Sequence, residues 1–285
     1  MVGNVHSRAG ARQSALTIQA LKAAGLNLLQ DETLEASQFE TAIDGYRERI
    51  DRVVIIGGDG TVHRLLPALT AKGLTVGLVP SGTANDLAAS LGIPMALEAA
   101  CQVIAAGHQR EIDVGVVNER LFLNVAHIGV GSRLTRSLDA KTKQRWGRLA
   151  YVRHLLRFLG PQPAFDARLT INGEERRVRA VEIAVGNGRL FGGGFSVHRN
   201  ASLDDGLLHY SVFRPQPWRR MVATALRLRH GAHVEDPEVL AGEAKALSIQ
   251  TRRPRTVVAD GEEVATTPCQ FNVRPGALKI LVPRP

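Results

Sequence analysis

Val53-Val54-Ile55-Ile56-Gly57-Gly58-Asp59-Gly60-Thr61 is the stretch on which the fold turns. Four consecutive β-favouring apolar residues run into glycines, an aspartate and a threonine. A continuous apolar run of this kind reads as a strand buried on both faces. Beyond it Val62, Leu65, Leu66 and Leu69 fall at helical spacing, so the glycines join a strand to a helix N-terminus. Backbone N–H groups and the positive end of a helix then face the loop, a seat for phosphate. An ordinary strand-to-helix turn has a similar composition. The loop is not a P-loop, because no Gly-Lys-Ser/Thr follows, nor is it G-x-G-x-x-G.

Working outward, residues 75–79 form a second apolar strand that ends in Pro80-Ser81-Gly82-Thr83-Ala84-Asn85-Asp86. Ligands of open α/β sheets bind at the carboxyl ends of strands, so two such loops strengthen each other. Upstream, a helix is expected over roughly 14–24, a short strand over 26–29, and a helix to about 49. Downstream, Pro67 should bend the first-loop helix, and Pro94 opens a helix to about 106. Alternating segments imply a doubly wound, mostly parallel sheet. Such a sheet needs a strand before the polar loop that starts at Asn4, yet only Met1 to Gly3 precede it. The first strand is therefore expected to be incomplete, or the gene product to begin upstream.

From Glu111 the grammar changes. Residues 112–117 and 121–125 read as strands around Asn118-Glu119. Residues 165–171 and 178–185 flank Asn172-Gly173, a strong hairpin signal. Further strands are expected at 207–213, 247–251, 256–259 and 278–282. The reading is an α/β domain over 1–117 and a mostly antiparallel, β-rich domain over 118–285.

The chain has 285 residues, 44% of them hydrophobic and 22% charged, which suits a globular protein with a sizeable core. The net charge of +9 implies an anionic partner. Aromatic residues are only 5%, with no basic–aromatic stripe or zinc-finger spacing, so nucleic acid is disfavoured. Cys101 and Cys269 are isolated, as in a reduced, cytoplasmic protein. No stretch is long and apolar enough to span a bilayer, so any membrane contact is expected to be peripheral. Two basic amphipathic helices, over 146–159 and 218–230, could supply it, although each also suits packing on a sheet with a solvated basic face.

The ordered set of polar stretches resembles one family. Gly57-Gly58-Asp59-Gly60-Thr61, Pro80-Ser81-Gly82-Thr83-Ala84-Asn85-Asp86, Phe122-Leu123-Asn124-Val125, Gly192-Gly193-Gly194, Asp205-Gly206 and Asp260-Gly261-Glu262 together are similar to the diacylglycerol kinase catalytic-domain family. The resemblance covers nearly the whole chain. It implies an NAD kinase-like nucleotide-binding domain, a β-rich lipid domain, and ATP-dependent phosphorylation of a lipid hydroxyl in the cleft between them. By that similarity Gly57, Gly58, Asp59, Gly60, Thr61, Gly82, Thr83, Asn85 and Asp86 make the ATP site. Asn4, Ser7 and Gly10 correspond to its first loop, and Thr33 to a further threonine. Ser202, Asp205 and Leu207 match a structural Mg²⁺ site, and Asp260 and Glu262 the catalytic carboxylates. A lipid substrate and an anionic membrane surface are the implied partners. The chain departs from the family at Val5, at His63 and Arg64, and in its short N-terminus. Those departures keep a non-catalytic nucleotide- or lipid-binding protein as the alternative; an NAD kinase-like enzyme is disfavoured by the C-terminal motifs.

Overall fold

The computed structural model describes residues 1–3, 8–29, 33–35, 38–130, 132 and 163–284. Two compact units emerge, one of Met1–Ile112 with Gly276–Pro285 and one of Asp113–Pro275. The end of the chain thus folds with its beginning.

In the first unit β1 (Val2–Gly3), β2 (Arg52–Gly57) and β3 (Thr75–Pro80) run parallel, and Lys279 and Ile280 add a further parallel pairing beside β3. Helices α1 (Arg8–Ala23), α2 (Phe39–Tyr46), α3 (Asp59–Lys72), α4 (Asp86–Ser90) and α5 (Leu97–Ala106) connect them. The apolar run of β2 is buried throughout. Val54 and Ile56 pack with Leu21 of α1 and with Ala100, Cys101 and Ile104 of α5. α3 buries Val62, Leu65, Leu66 and Leu69, the residues whose spacing marked the helix. Each such burial contributes about 1.5–3 kcal/mol. A Cβ on Gly77 would lie 2.9 Å from Ile104, so this glycine sets how closely α5 approaches the sheet.

Several local expectations are corrected. Residues 26–29 form no strand; Leu26 and Leu28 instead pack partly buried on the α1–α5 cluster. The place beside β1 is taken by Leu34, whose carbonyl accepts the Gly3 N–H and whose N–H donates to Met1 O, both at 2.9 Å. β1 is only two residues long, paired on both sides. α1 begins at Arg8, and α5 begins at Leu97 because Ala96 is still extended. α3 runs through Pro67 to Gly73, whose positive φ and bonds to Leu69 O and Thr70 O close the helix.

β4 (Gln109–Val117) leads into the second unit and turns at Asn118-Glu119 into β5 (Arg120–Phe122). There follow β6 (Val125–Gly129), β7 (Phe165–Ile171), β8 (Glu174–Ala180), β9 (Glu182–Gly186), β10 (Leu190–Phe191), β11 (Phe195–Ser196) and β12 (Leu208–Phe213). After α6 (Trp218–Leu228) come β13 (Val239–Ala244), β14 (Ala246–Thr251), β15 (Thr256–Ala259), β16 (Glu262–Thr266) and β17 (Cys269–Leu281). One antiparallel sheet has the order β13-β12-β9-β6-β15-β16. In the other, β14 pairs with β7 and with the start of β17, and β7 pairs with β8. Leu169, Ile183, Val185, Ile249 and Phe271 share the core, where Phe122 meets Phe271 edge to face at 6.3 Å.

Asn172 and Gly173 both have positive φ, as the hairpin signal requires. The expected single strand over 178–185 is two strands in different sheets. The buried positions shift phase between Ala180 and Val181, where the chain changes sheets. β17 is longer than the expected 278–282, and β13 and β16 were not anticipated. Cys101 and Cys269 are free and buried, and burial pushes their thiols up to about 11 and about 12 respectively, so both stay protonated. The expected basic helix over 146–159 lies outside the described residues. α6 is present: it buries Thr224, whose hydroxyl donates to Asp236, and leaves Leu226 73% exposed. No described helix is long and apolar enough to cross a membrane.

Candidate active site

In the first unit the loops after β2 and β3 lie against each other. Ser81 N–H donates to Gly57 O at 2.9 Å. A Cβ on Gly58 would sit 2.7 Å from the Gly82 Cα, and one on Gly82 would sit 2.6 Å from the Gly58 Cα. Only glycine permits so close a backbone approach. Asn85, at φ 53°, brackets the second loop by accepting from Gly82 N–H at 2.9 Å and donating to Gly82 O at 2.8 Å. Asp59 fastens the loops together, its carboxylate accepting from Asp86 N–H and Leu87 N–H, both at 2.9 Å. Both of its oxygens are therefore engaged with backbone.

The same region leaves Gly60, Ser81, Gly82 and Thr83 exposed at the strand ends, beside the N-terminus of the 14-residue α3. Exposed loop backbone and a helix positive end fit a polyphosphate. Thr33 stands within contact distance of Gly3, which itself pairs with Ile56, so it lies close to the start of the glycine loop. Among the described residues its buried hydroxyl has no hydrogen-bond partner. Gly10 falls in α1, while Asn4 and Ser7 lie outside the described residues. His63 and Arg64 occupy the first turns of α3, with Arg64 exposed.

In the second unit the β15–β16 hairpin turns on two residues, with Ala259 opposite Glu262. Asp260 and Gly261 have φ of 48° and 97°, the backbone of a type I′ turn. The Asp260 carboxylate accepts three successive backbone N–H groups, from Leu123 at 2.6 Å, Asn124 at 2.9 Å and Val125 at 3.3 Å. Its own N–H donates to Val125 O. Glu262 is exposed at the head of β16. Two-residue spacing across a tight turn thus aims the carboxylates differently.

Around Asp260 is a buried knot that the sequence reading assigned no role. Asn187, fully buried, donates from Nδ2 to Asp113 O and Leu123 O, both at 2.9 Å, and its N–H donates to Asn124 O. Asp113, an acid inside a buried strand, accepts from Gly206 N–H at 2.7 Å. The signal for Asp113 was available: an acid in an apolar run is seldom buried without a partner.

Gly206 adjoins the expected metal loop. Asp205 accepts from Ser202 N–H at 3.0 Å, Leu207 N–H at 2.9 Å and His209 Nε2 at 2.8 Å. The three residues named for Mg²⁺ are thus already joined to one another. A carboxylate has about four acceptor positions, so Asp205 keeps one, and backbone oxygens can complete a hard, oxygen-only set suited to Mg²⁺. Among the described residues there is no cluster of three or more His, Cys, Asp or Glu able to hold a metal. Burial, and then the neighbouring His209, hold the imidazole of His198 below its ordinary range.

Comparison with known proteins bears out the resemblance and the fold class. Residues 3–117 match the family described as the diacylglycerol kinase catalytic domain, and residues 124–282 the YegS C-terminal NAD kinase beta sandwich-like domain. The chain is 32% identical over 275 residues to the "Probable lipid kinase YegS" of Escherichia fergusonii, covering 93% of this chain and 90% of that one. It is 33% identical over 242 residues to the "Probable lipid kinase YegS-like" of an Enterobacter species, covering 82% and 79%. A crystal structure described as a "putative diacylglycerol kinase" from Bacillus anthracis superposes with a TM-score of 0.82 at 26% identity, covering 99% of this chain and 94% of that one.

Proposed function

The chain belongs to the diacylglycerol kinase catalytic-domain family and is a kinase, and from that premise we propose that it transfers the γ-phosphoryl group of ATP to a hydroxyl of a diacylglycerol-like lipid. The observation that carries this reading is the division of labour at the Asp260 turn. Asp260 is committed to three backbone amides, whereas Glu262 is exposed beside it.

Phosphoryl transfer needs positioning and charge neutralisation more than covalent help. Gly57, Gly58, Gly60, Thr61, Gly82 and Thr83 offer backbone to the phosphates, while Asp59, Asn85 and Asp86 hold the loops that present them. Gly10 and Thr33, with Asn4 and Ser7, complete the nucleotide side. Glu262 takes the proton of the acceptor hydroxyl as its oxygen bonds to the γ-phosphorus and the bond from that phosphorus to the β–γ bridging oxygen breaks, releasing ADP. Asp260 fixes the turn from which Glu262 projects. Ser202, Asp205 and Leu207 would hold Mg²⁺, which when bound supplies positive charge that rigidifies this loop.

The enzyme is read as a cytoplasmic protein that visits anionic bilayers to reach its substrate. Support comes from the net charge of +9 and from α6, where exposed Leu226 sits among Arg219, Arg220, Arg227 and Arg229. Glu238 lies 3.9 Å from Arg220 and offsets part of that charge.

The test is incubation with γ-labelled ATP, Mg²⁺ and dioleoylglycerol in mixed micelles. The expected product is labelled phosphatidic acid. ATP binding without phosphorylation of any lipid in a total extract would instead identify a non-catalytic nucleotide-binding protein. Labelled NADP from NAD would identify the other alternative.

A further inference from the structure

The sulfur atoms of the chain are unequally placed. It has two cysteines and three methionines. Cys101 and Cys269 are buried, and burial pushes their thiols up to about 11 and about 12, so neither offers a thiolate to an oxidant. Met1 and Met221 are half-buried. Met95, in the loop between α4 and α5, is 51% exposed. A peroxide in solution therefore meets the Met95 thioether first.

Met95 is exposed at a place where one added oxygen has a consequence. Its Sδ lies 3.8 Å from Asn85 Nδ2, which donates to it. The same nitrogen donates to Gly82 O at 2.8 Å, and Asn85 Oδ1 accepts from Gly82 N–H at 2.9 Å. Both Gly82 bonds belong to one planar amide, so that amide cannot turn away without breaking both. It is also wedged against both glycine loops: its Oδ1 is the nearest side-chain atom to a Cβ built on Gly58, at 3.2 Å, or on Gly82, at 2.8 Å. A thioether is a weak acceptor and competes poorly for the amide, whereas a sulfoxide presents a polar oxygen.

We propose that Met95 is an oxidation site that releases the second glycine loop: a peroxide converts it to the sulfoxide, whose oxygen draws the Asn85 amide off Gly82 and weakens ATP binding. The proposal rests on the nucleotide reading of the loops and adds a control to it. In the step, a sulfur lone pair bonds to one peroxide oxygen as the O–O bond breaks. Sulfur is oxidised by two electrons and the peroxide is reduced. The departing hydroxide takes the proton of the transferred oxygen and leaves as water. A thiol-dependent methionine sulfoxide reductase reverses the change.

The full chain is treated with hydrogen peroxide, and sulfoxide at Met95 is quantified by peptide mass spectrometry. Hydrogen exchange at the Gly82 amide then reports the bracket without any ligand, and titration with ATP reports the site. Oxidation should reach Met95 before Met221, and should quicken Gly82 exchange and raise the Kd for ATP each about tenfold, the worth of one hydrogen bond. Met95→Gln should show both changes without peroxide. Met95→Leu should respond to peroxide in neither readout, and reductases for both sulfoxide epimers should restore the untreated values of the wild type. Gly82 exchange unchanged at full Met95 oxidation, or an equal response in Met95→Leu, overturns the proposal. So does an unchanged Kd in a chain that binds ATP. Faster Gly82 exchange in a protein that binds no ATP in either state overturns the nucleotide reading and leaves the switch at Asn85 standing.

Discussion

The glycine loops of the first unit and the Asp260 turn of the second use the same materials in opposite ways. At the glycine loops Asp59 ties one loop to the backbone of the other, and exposed backbone is left over for a ligand. At the hairpin turn Asp260 consumes the backbone N–H groups of residues 123–125, and an exposed side chain, Glu262, is left over. In both places the motif aspartate is a fastener. In the function proposed above, the surface that meets the substrates is what the fastener does not touch. An anionic oxygen bonded to backbone N–H forms some of the strongest hydrogen bonds available to a fold, so aspartate suits this task wherever two loops must be held in fixed register.

If the first site is truly a backbone device, adding a single carbon should break it most. Gly82→Ala puts a Cβ 2.6 Å from the Gly58 Cα, and both partners are main chain, so the loops must separate. ATP-dependent turnover should fall by about 10²-fold or more, the scale of a 1 Å misplacement. Steady-state kinetics with varied ATP check this, and near wild-type kcat/KM for ATP would show that the loops need not touch.

A smaller effect should come from weakening the fastener. Asp59→Asn keeps the shape but loses the charge that binds Asp86 and Leu87, and one amide oxygen cannot replace two carboxylate oxygens. The expected loss is about 1–3 kcal/mol of stability, seen in urea unfolding, together with a raised KM for ATP. A variant with wild-type stability and altered chemistry alone would place Asp59 among the reacting groups instead.

The smallest effect concerns pH. Burial is the main cause holding the His233 imidazole below its ordinary range. Its folded state therefore resists protonation that the unfolded chain accepts near about pH 6.5. The stability it contributes is present above that pH and is lost as pH falls below it, by at most about 1.4 kcal/mol per unit for one proton. Thermal melts between about pH 7.5 and 5.5 should fall more steeply for the wild type than for His233→Gln.

How much of this could be read from residues alone differs between the units for a physical reason. β2 and α3 were legible because their apolar patterns are local: a run for the strand, helical spacing for the helix. The break between β8 and β9 was signalled only by a phase slip at Ala180–Val181, which a continuous apolar segment hides. β17 alternates polar with apolar residues and holds Pro275, so its length was concealed. The motif residues were picked out by resemblance, but the partners of Asp260 lie 135 to 137 positions away, beyond the reach of any local pattern. Asn187 and Asp113 went unassigned for the same cause: their meaning lies in partners far along the chain.

The most direct test sets the two carboxylates of the turn against each other. Asp260→Asn and Glu262→Gln are measured side by side for thermal unfolding and for kcat with a verified lipid acceptor. Glu262→Gln should melt with the wild type and lose about 10²–10⁴ in kcat, as for a missing general base. Asp260→Asn should lower stability, by about 1–3 kcal/mol for the disturbed backbone bonds, and lower activity only as far as the turn is displaced. The reverse pattern, with Glu262→Gln fully active and Asp260→Asn stable but dead, would contradict the account.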